Sequence, residues 1–101
     1  MRATALAILL IAAAAVPVNA TAAPAQLRHC AVKVDFNLEI SSARNITCRG
    51  AARDLRRHHG SIATHFKTPR GFACRRVSGT ELGGQWRCVR RSRAYRFEFS
   101  D

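Results

Sequence analysis

The chain has 101 residues, with 17 Lys or Arg against 6 Asp or Glu, a formal charge of +11. So short a chain makes one small domain with a thin core. Six scattered acids leave little for chemistry that needs two carboxyl groups converging in a cleft, and so small a domain has little room for a deep pocket.

In chain order, the first element is a targeting segment. Arg2 precedes an apolar run from Ala3 to Val16, Pro17 ends it, and small residues follow. That is the pattern of a secretory signal peptide, and the run is shorter than the roughly 20 residues of a membrane span. Cleavage is expected after Ala25, where Ala23-Pro24-Ala25 supplies the small residues required, with Ala20 as the alternative. A single domain over residues 26–101 then remains, at a charge of about +10. Four cysteines are an even number; in a secreted domain of this size they read as two disulfides that compensate for the thin core.

The stretch from Cys30 to Ser41 alternates. Cys30, Val32, Val34, Phe36, Leu38 and Ile40 share one parity, and Lys33, Asp35, Asn37, Glu39 and Ser41 the other. Strict period two marks a strand with one buried face. Asp35 and Asn37 leave room for a bend, so one long strand and a short hairpin are both open.

A helix follows. Thr47 is a good N-cap, and Cys48, Ala51, Ala52, Leu55, His59 and Ile62 recur at helical spacing. Gly60 is the expected stop. Asp54 is placed to pair with Arg57 or His58 along the helix, and the cations Arg56 and Arg57 with His58 and His59 suit a last turn. Asn45-Ile46-Thr47 matches a glycosylation sequon but reads as the helix entry. Residues 61–71 read as a long connection anchored by Ile62 and Phe66, with a turn at Pro69 and Gly71.

Three short strands close the chain: Phe72–Val77, Gln85–Arg90 and Ala94–Phe99. Ser78–Gly84 between the first two is hairpin turn chemistry, and Arg91-Ser92-Arg93 forms the next turn. The expected fold is α+β, one helix packed on a small antiparallel sheet of about four strands. Three cysteine pairings are open. Cys74 and Cys88 lie symmetrically about Glu81, so a hairpin brings them together. Pairing Cys30 with Cys48 is awkward for a straight first strand, which would carry Cys30 about 30 Å from its far end; a bend near Asp35 removes the objection.

The pattern ITCRGAAR, then GFAC, WRC and RAYRFEF resembles a set of small secreted, cysteine-containing proteins of high-GC bacteria. The likeness runs from Cys30 to the C-terminus. It implies secretion, a disulfide scaffold and an α+β fold, and it implies no catalytic residue.

Candidate sites come from the cations. Fifteen of the 17 are Arg. Arg49, Arg53, Arg56 and Arg57 recur at i, i+4, i+7 and i+8, one helix stripe, and Arg87, Arg90, Arg91 and Arg93 with Arg96 form a second run. Such clusters attract polyanions and anionic surfaces; a GC-rich genome is the plain alternative source of so many arginines. The aromatics fall at core parity rather than among the arginines, so they read as packing and not as a base-stacking platform. The adjacent His58 and His59 project about 100° apart on a helix, and no zinc-ligand spacing accompanies them, so no metal or cofactor is expected. Without a nucleophile motif or a free thiol, no enzyme is expected either. The expected function is a secreted, monomeric, non-enzymatic domain that binds anionic polymers or surfaces of the cell envelope or surroundings. The alternative is an inhibitor of an extracellular enzyme that presents Lys67 and Arg70 on the loop 61–71. A cationic membrane-active agent ranks third.

Overall fold

A computed structural model describes residues 26–80 and 82–100; the signal-peptide expectation for residues 1–25 lies outside the described residues. The alternating stretch folds back on itself as two strands, β1 (Arg28–Asp35) and β2 (Leu38–Arg44). Its turn is held by the Phe36 amide, which donates to Asp35 Oδ1 at 2.7 Å. An Asp side chain bonding the next amides is a local substitute for a backbone turn. Phe36 sits at the tip and is 85 % exposed, so it leaves the buried set to which its parity assigned it. The other members, Cys30, Val32, Val34, Leu38 and Ile40, do pack with the core.

After β2 comes α1 (Cys48–Arg56), the one helix among the described residues, then β3 (His65–Lys67), β4 (Ala73–Thr80), β5 (Gly83–Arg90) and β6 (Arg93–Ser100). All six strands form one antiparallel sheet in the order β1-β2-β6-β5-β4-β3. This corrects the expectation of one helix on about four strands: the described residues form a fold dominated by a six-stranded sheet, with one short helix. Two strands went uncounted for separate reasons. The first stretch carries a hairpin turn without glycine. The connection 61–71 contains a three-residue strand, too short to show a period, which exists only because β4 offers it an edge.

Register keeps one face apolar. A bulge between Ile40 and Ser42 lets β2 place both Ile40, opposite Phe97, and Ala43, opposite Tyr95, on the same side. Extra residues of this kind reset the alternation at a cost of one unpaired position. The buried set is Ile40, Ala43, Phe72, Cys74, Trp86, Cys88, Tyr95 and Phe97 from the sheet and its loops, with Ala51, Ala52 and Leu55 from α1. Trp86 stacks on Phe97 with ring centroids 5.4 Å apart. Its indole nitrogen donates to the Ala63 carbonyl at 2.8 Å, which ties down the segment between α1 and β3. Each such fully buried large side chain contributes about 1.5–3 kcal/mol.

Thr47 caps α1 as its type and position predict: its hydroxyl accepts from the Gly50 amide at 2.9 Å. The helix stops at Arg56, short of Gly60, with Arg57 as the C-cap. His58 turns off the axis and stacks on Phe66, ring centroids 4.2 Å apart, while His59 is exposed. The inward position assigned to His59 therefore goes to its neighbour. Asp54 also departs from expectation. It points into the core, 2 % exposed, where Oδ2 accepts from the Tyr95 hydroxyl at 2.7 Å and Oδ1 from the Thr68 hydroxyl at 3.2 Å. The same Thr68 hydroxyl accepts from the Phe72 amide at 3.1 Å. One carboxylate thus fastens helix, sheet and the 68–72 turn, and it does not pair with Arg57 or His58.

The two disulfides are Cys30–Cys48 and Cys74–Cys88. The second joins directly opposed residues of β4 and β5. The first becomes possible because the β1–β2 hairpin reverses the chain, so that β2 returns to the end where β1 began and α1 starts beside Cys30, with Cα atoms 5.6 Å apart. The bend near Asp35 is thus what admits this pairing. Cys74 and Cys88 are buried, and Cys30 and Cys48 are half-buried. Bridges of this kind persist in oxidising or extracellular environments, and no helix among the described residues is long and apolar enough to cross a membrane.

Candidate anion-binding face

Alternation on a sheet with one covered side leaves the other side for polar residues. Here α1 packs with the face that carries Tyr95, Phe97, Trp86 and Cys88. Among the described residues no helix packs over the opposite parity, and the register decides what meets what on it. Arg75 of β4 lies directly opposite Arg87 of β5, and Arg87 lies directly opposite Arg96 of β6. Arg96 in turn faces Ser42 of β2, and Ser42 faces His29 of β1. At the far edge Arg75 faces His65 of β3. One row therefore crosses all six strands, with three adjacent arginines at its centre. At a strand spacing of about 4.8 Å the three span roughly 10 Å.

Neighbouring rows differ in charge. One pair-step along the strands, Glu39 of β2 faces Glu98 of β6, and Lys33 of β1 faces Glu39. One pair-step the other way, Ala94 lies between Arg44 and Val89, and Ala73 lies between Val89 and Lys67. The face holds a groove of about 530 Å³ whose lining includes Arg44, Arg75, Arg87 and Arg96 together with Glu98, Leu27 and Val77. Arg87 is half-buried within it, and Arg75 and Arg96 are exposed.

The sequence-derived clusters separate in space. Arg49, Arg53 and Arg56 are exposed on α1, in the layer on the other side of the sheet. Arg56 Nη2 also donates to the Lys33 carbonyl at 3.0 Å, so it braces the edge strand β1. Arg57 is the half-buried C-cap of α1. Arg90 and Arg93 face each other at the β5–β6 turn, with Arg91 between them at a φ of 56°. Of the second run, Arg87 and Arg96 join the cross-strand row. Lys67 lies on the short edge strand β3 and Arg70 in a tight turn closed by the Gly71 amide donating to the Thr68 carbonyl at 2.8 Å. The segment 61–71 is therefore pinned at its strand and its turn rather than an eleven-residue free loop.

Arg44 and Arg75 were not among the sequence-derived candidates. A usable signal existed for Arg75: the symmetry about Glu81 that pairs Cys74 with Cys88 also pairs Arg75 with Arg87. No comparable signal marked Arg44, because the β2 bulge shifts its parity. Asn45, with a φ of 58°, is the turn into α1, as expected; its side-chain amide donates to the Ser92 carbonyl at 2.9 Å.

Among the described residues, no group of three or more His, Cys, Asp or Glu converges closely enough to hold a metal ion. The fold and this face define a disulfide-stapled antiparallel sheet, covered on one side and presenting arginines on the other. No family model, no curated protein and no solved structure matches the chain.

Proposed function

We propose that this is a secreted, non-enzymatic domain that binds anionic macromolecules or surfaces through the uncovered sheet face. One observation carries the reading: Arg87 has an arginine as its directly opposed neighbour on both sides. Like charges opposed across strands destabilise a sheet, so this row costs the fold and is relieved by an anionic partner. The guanidinium fork suits phosphate and carboxylate, with two parallel hydrogen bonds to each group. The excess of positive charge raises the rate at which such partners arrive. The resemblance to small secreted proteins and the two disulfides both agree with an extracellular or envelope setting.

The test is binding to heparin, nucleic acid or a cell-wall polymer as salt is raised. On a single-stranded polyanion each neutralised charge contributes about −0.7 to the slope of log K against log salt, so three arginines give roughly −2. Retention no stronger than that of an equally charged control protein refutes the reading.

A further inference from the structure

The layout of the face narrows the kind of partner, given the anion-binding reading on which this inference rests. We infer that the face is a single track for an extended, base-free polyanion chain that lies across the strands, rather than a patch for a flat anionic surface.

Three features of the face carry this. First, the cations form a line. Arg75, Arg87 and Arg96 follow one another across three adjacent strands, perpendicular to the strand direction, so a chain that meets all three must run across the sheet. Second, the line has unlike margins. On one side Glu39 and Glu98 face each other. Two residues along a strand is about 6.8 Å, close enough for their charges to turn an anion back towards the row, since this is less than the screening length of about 8 Å at physiological salt. On the other side Ala94, Val89 and Ala73 form a strip without charge, with Arg44 and Lys67 at its two ends. Third, the row lies in a groove of about 530 Å³ with Arg87 half-buried. A flexible chain can enter such a groove. A planar surface meets the projecting cations first, among them Arg90, Arg91 and Arg93 at the β5–β6 turn.

The same register excludes bases as the recognised feature. Trp86, Tyr95 and Phe97 alternate with Arg87 and Arg96 and are therefore turned into the core. Single-strand nucleic-acid binders add stacking on aromatic faces to backbone contacts, and no Phe, Tyr or Trp stands at a position of this row, whose two histidines, His29 and His65, lie on its outermost strands, beyond the three arginines. The charge on the partner is what the groove can read.

The experiment measures dissociation constants of the oxidised protein for three probes at one low salt concentration: inorganic polyphosphate, oligo(dT) of equal charge, and phosphatidylglycerol vesicles. Two triple variants remove equal charge from different places. One carries Arg75→Gln, Arg87→Gln and Arg96→Gln; the other carries Arg49→Gln, Arg53→Gln and Arg91→Gln. The face triple relieves like-charge opposition, so it retains the fold, which thermal unfolding verifies. For polyphosphate the face triple is expected to weaken binding by about 30-fold and the control triple by less than about threefold, while vesicle binding is insensitive to the face triple. A further variant, Glu39→Gln with Glu98→Gln, removes the carboxylate margin and is expected to tighten polyphosphate binding about threefold. If both triples weaken polyphosphate equally, the open face is not the site, and the anion-binding reading falls with the track. If the face triple weakens vesicles as strongly as polyphosphate, the face binds anions but the track is wrong. Tighter binding of oligo(dT) than of polyphosphate overturns the base-free partner, and an unchanged affinity in the glutamate variant overturns the margin.

Discussion

Removing one oxygen atom from Tyr95 is expected to cost this domain about 2 kcal/mol. Tyr95 is 1 % exposed, and its hydroxyl donates to Asp54 Oδ2 at 2.7 Å. Tyr95→Phe preserves the ring, including its contact with Phe72 at 5.3 Å between centroids, so little packing is lost. What changes is that Asp54, 2 % exposed, keeps the Thr68 hydroxyl as its one side-chain partner among the described residues. Hydrogen bonds to a charged group contribute about 1.5–3 kcal/mol, and a buried group left short of a partner retains its desolvation cost. In a domain of this size each kcal/mol moves the midpoint by about 4–8 °C, so a fall of roughly 10 °C is expected. Thermal and urea unfolding with disulfides intact measure it. The alkaline limb adds a second readout. Burial, then the hydrogen bond to Asp54, then the Asp54 charge push the Tyr95 phenol above its ordinary value. A group raised in the folded state contributes stability that is complete below its unfolded pKa, about 10 for Tyr. That stability is lost as pH rises beyond this value, at about 1.4 kcal/mol per pH unit. Tyr95 is the only tyrosine, so phenolate absorbance should appear only as the protein unfolds, and Tyr95→Phe should lack that slope. A loss below about 0.5 kcal/mol, or the same loss when Asp54 is already Asn, would refute the account of the buried network.

Replacing both cysteines of either bridge by Ala should lower stability by about 3 kcal/mol, since the loops of 18 and 14 residues differ little in closure entropy. The Cys74–Cys88 pair should cost more in urea titrations, because those two side chains are buried in the core and leave a cavity there. Gly79→Ala and Gly84→Ala should each destabilise by more than about 1 kcal/mol. These glycines face each other across the β4–β5 hairpin, an added Cβ at Gly79 runs into the Gly83 carbonyl and Gly84 Cα, and one at Gly84 runs into the Ser78 carbonyl; a neutral midpoint for both contradicts the close approach. Arg87→Thr should do the reverse, raising stability by about 0.5–1 kcal/mol while weakening anion binding, because it removes a like charge opposed on both sides and adds a good strand former.

Local features were readable wherever one residue type does one job. Thr47 before Cys48 announced the helix start, the Tyr95, Phe97 and Phe99 alternation announced the last strand, and the symmetry of Cys74 and Cys88 about Glu81 showed that a hairpin would bring those two together while three pairings stayed open. What depended on a distant partner was not readable. β3 exists because β4 offers it an edge, the helix ends early where His58 finds Phe66, and Asp54 turns inward because Tyr95 and Thr68 supply hydroxyls there. The arginines divide in the same way. Charge and composition are sums over the chain, so the expectation of an anionic partner could be drawn from sequence alone. Which arginines stand together was decided by strand register, because pairing sets side by side residues such as Arg75 and Arg96 that lie on different strands. The helix stripe that is prominent in the sequence lies in the layer on the covered side of the sheet, and the row across β4, β5 and β6 exists only once those strands are paired.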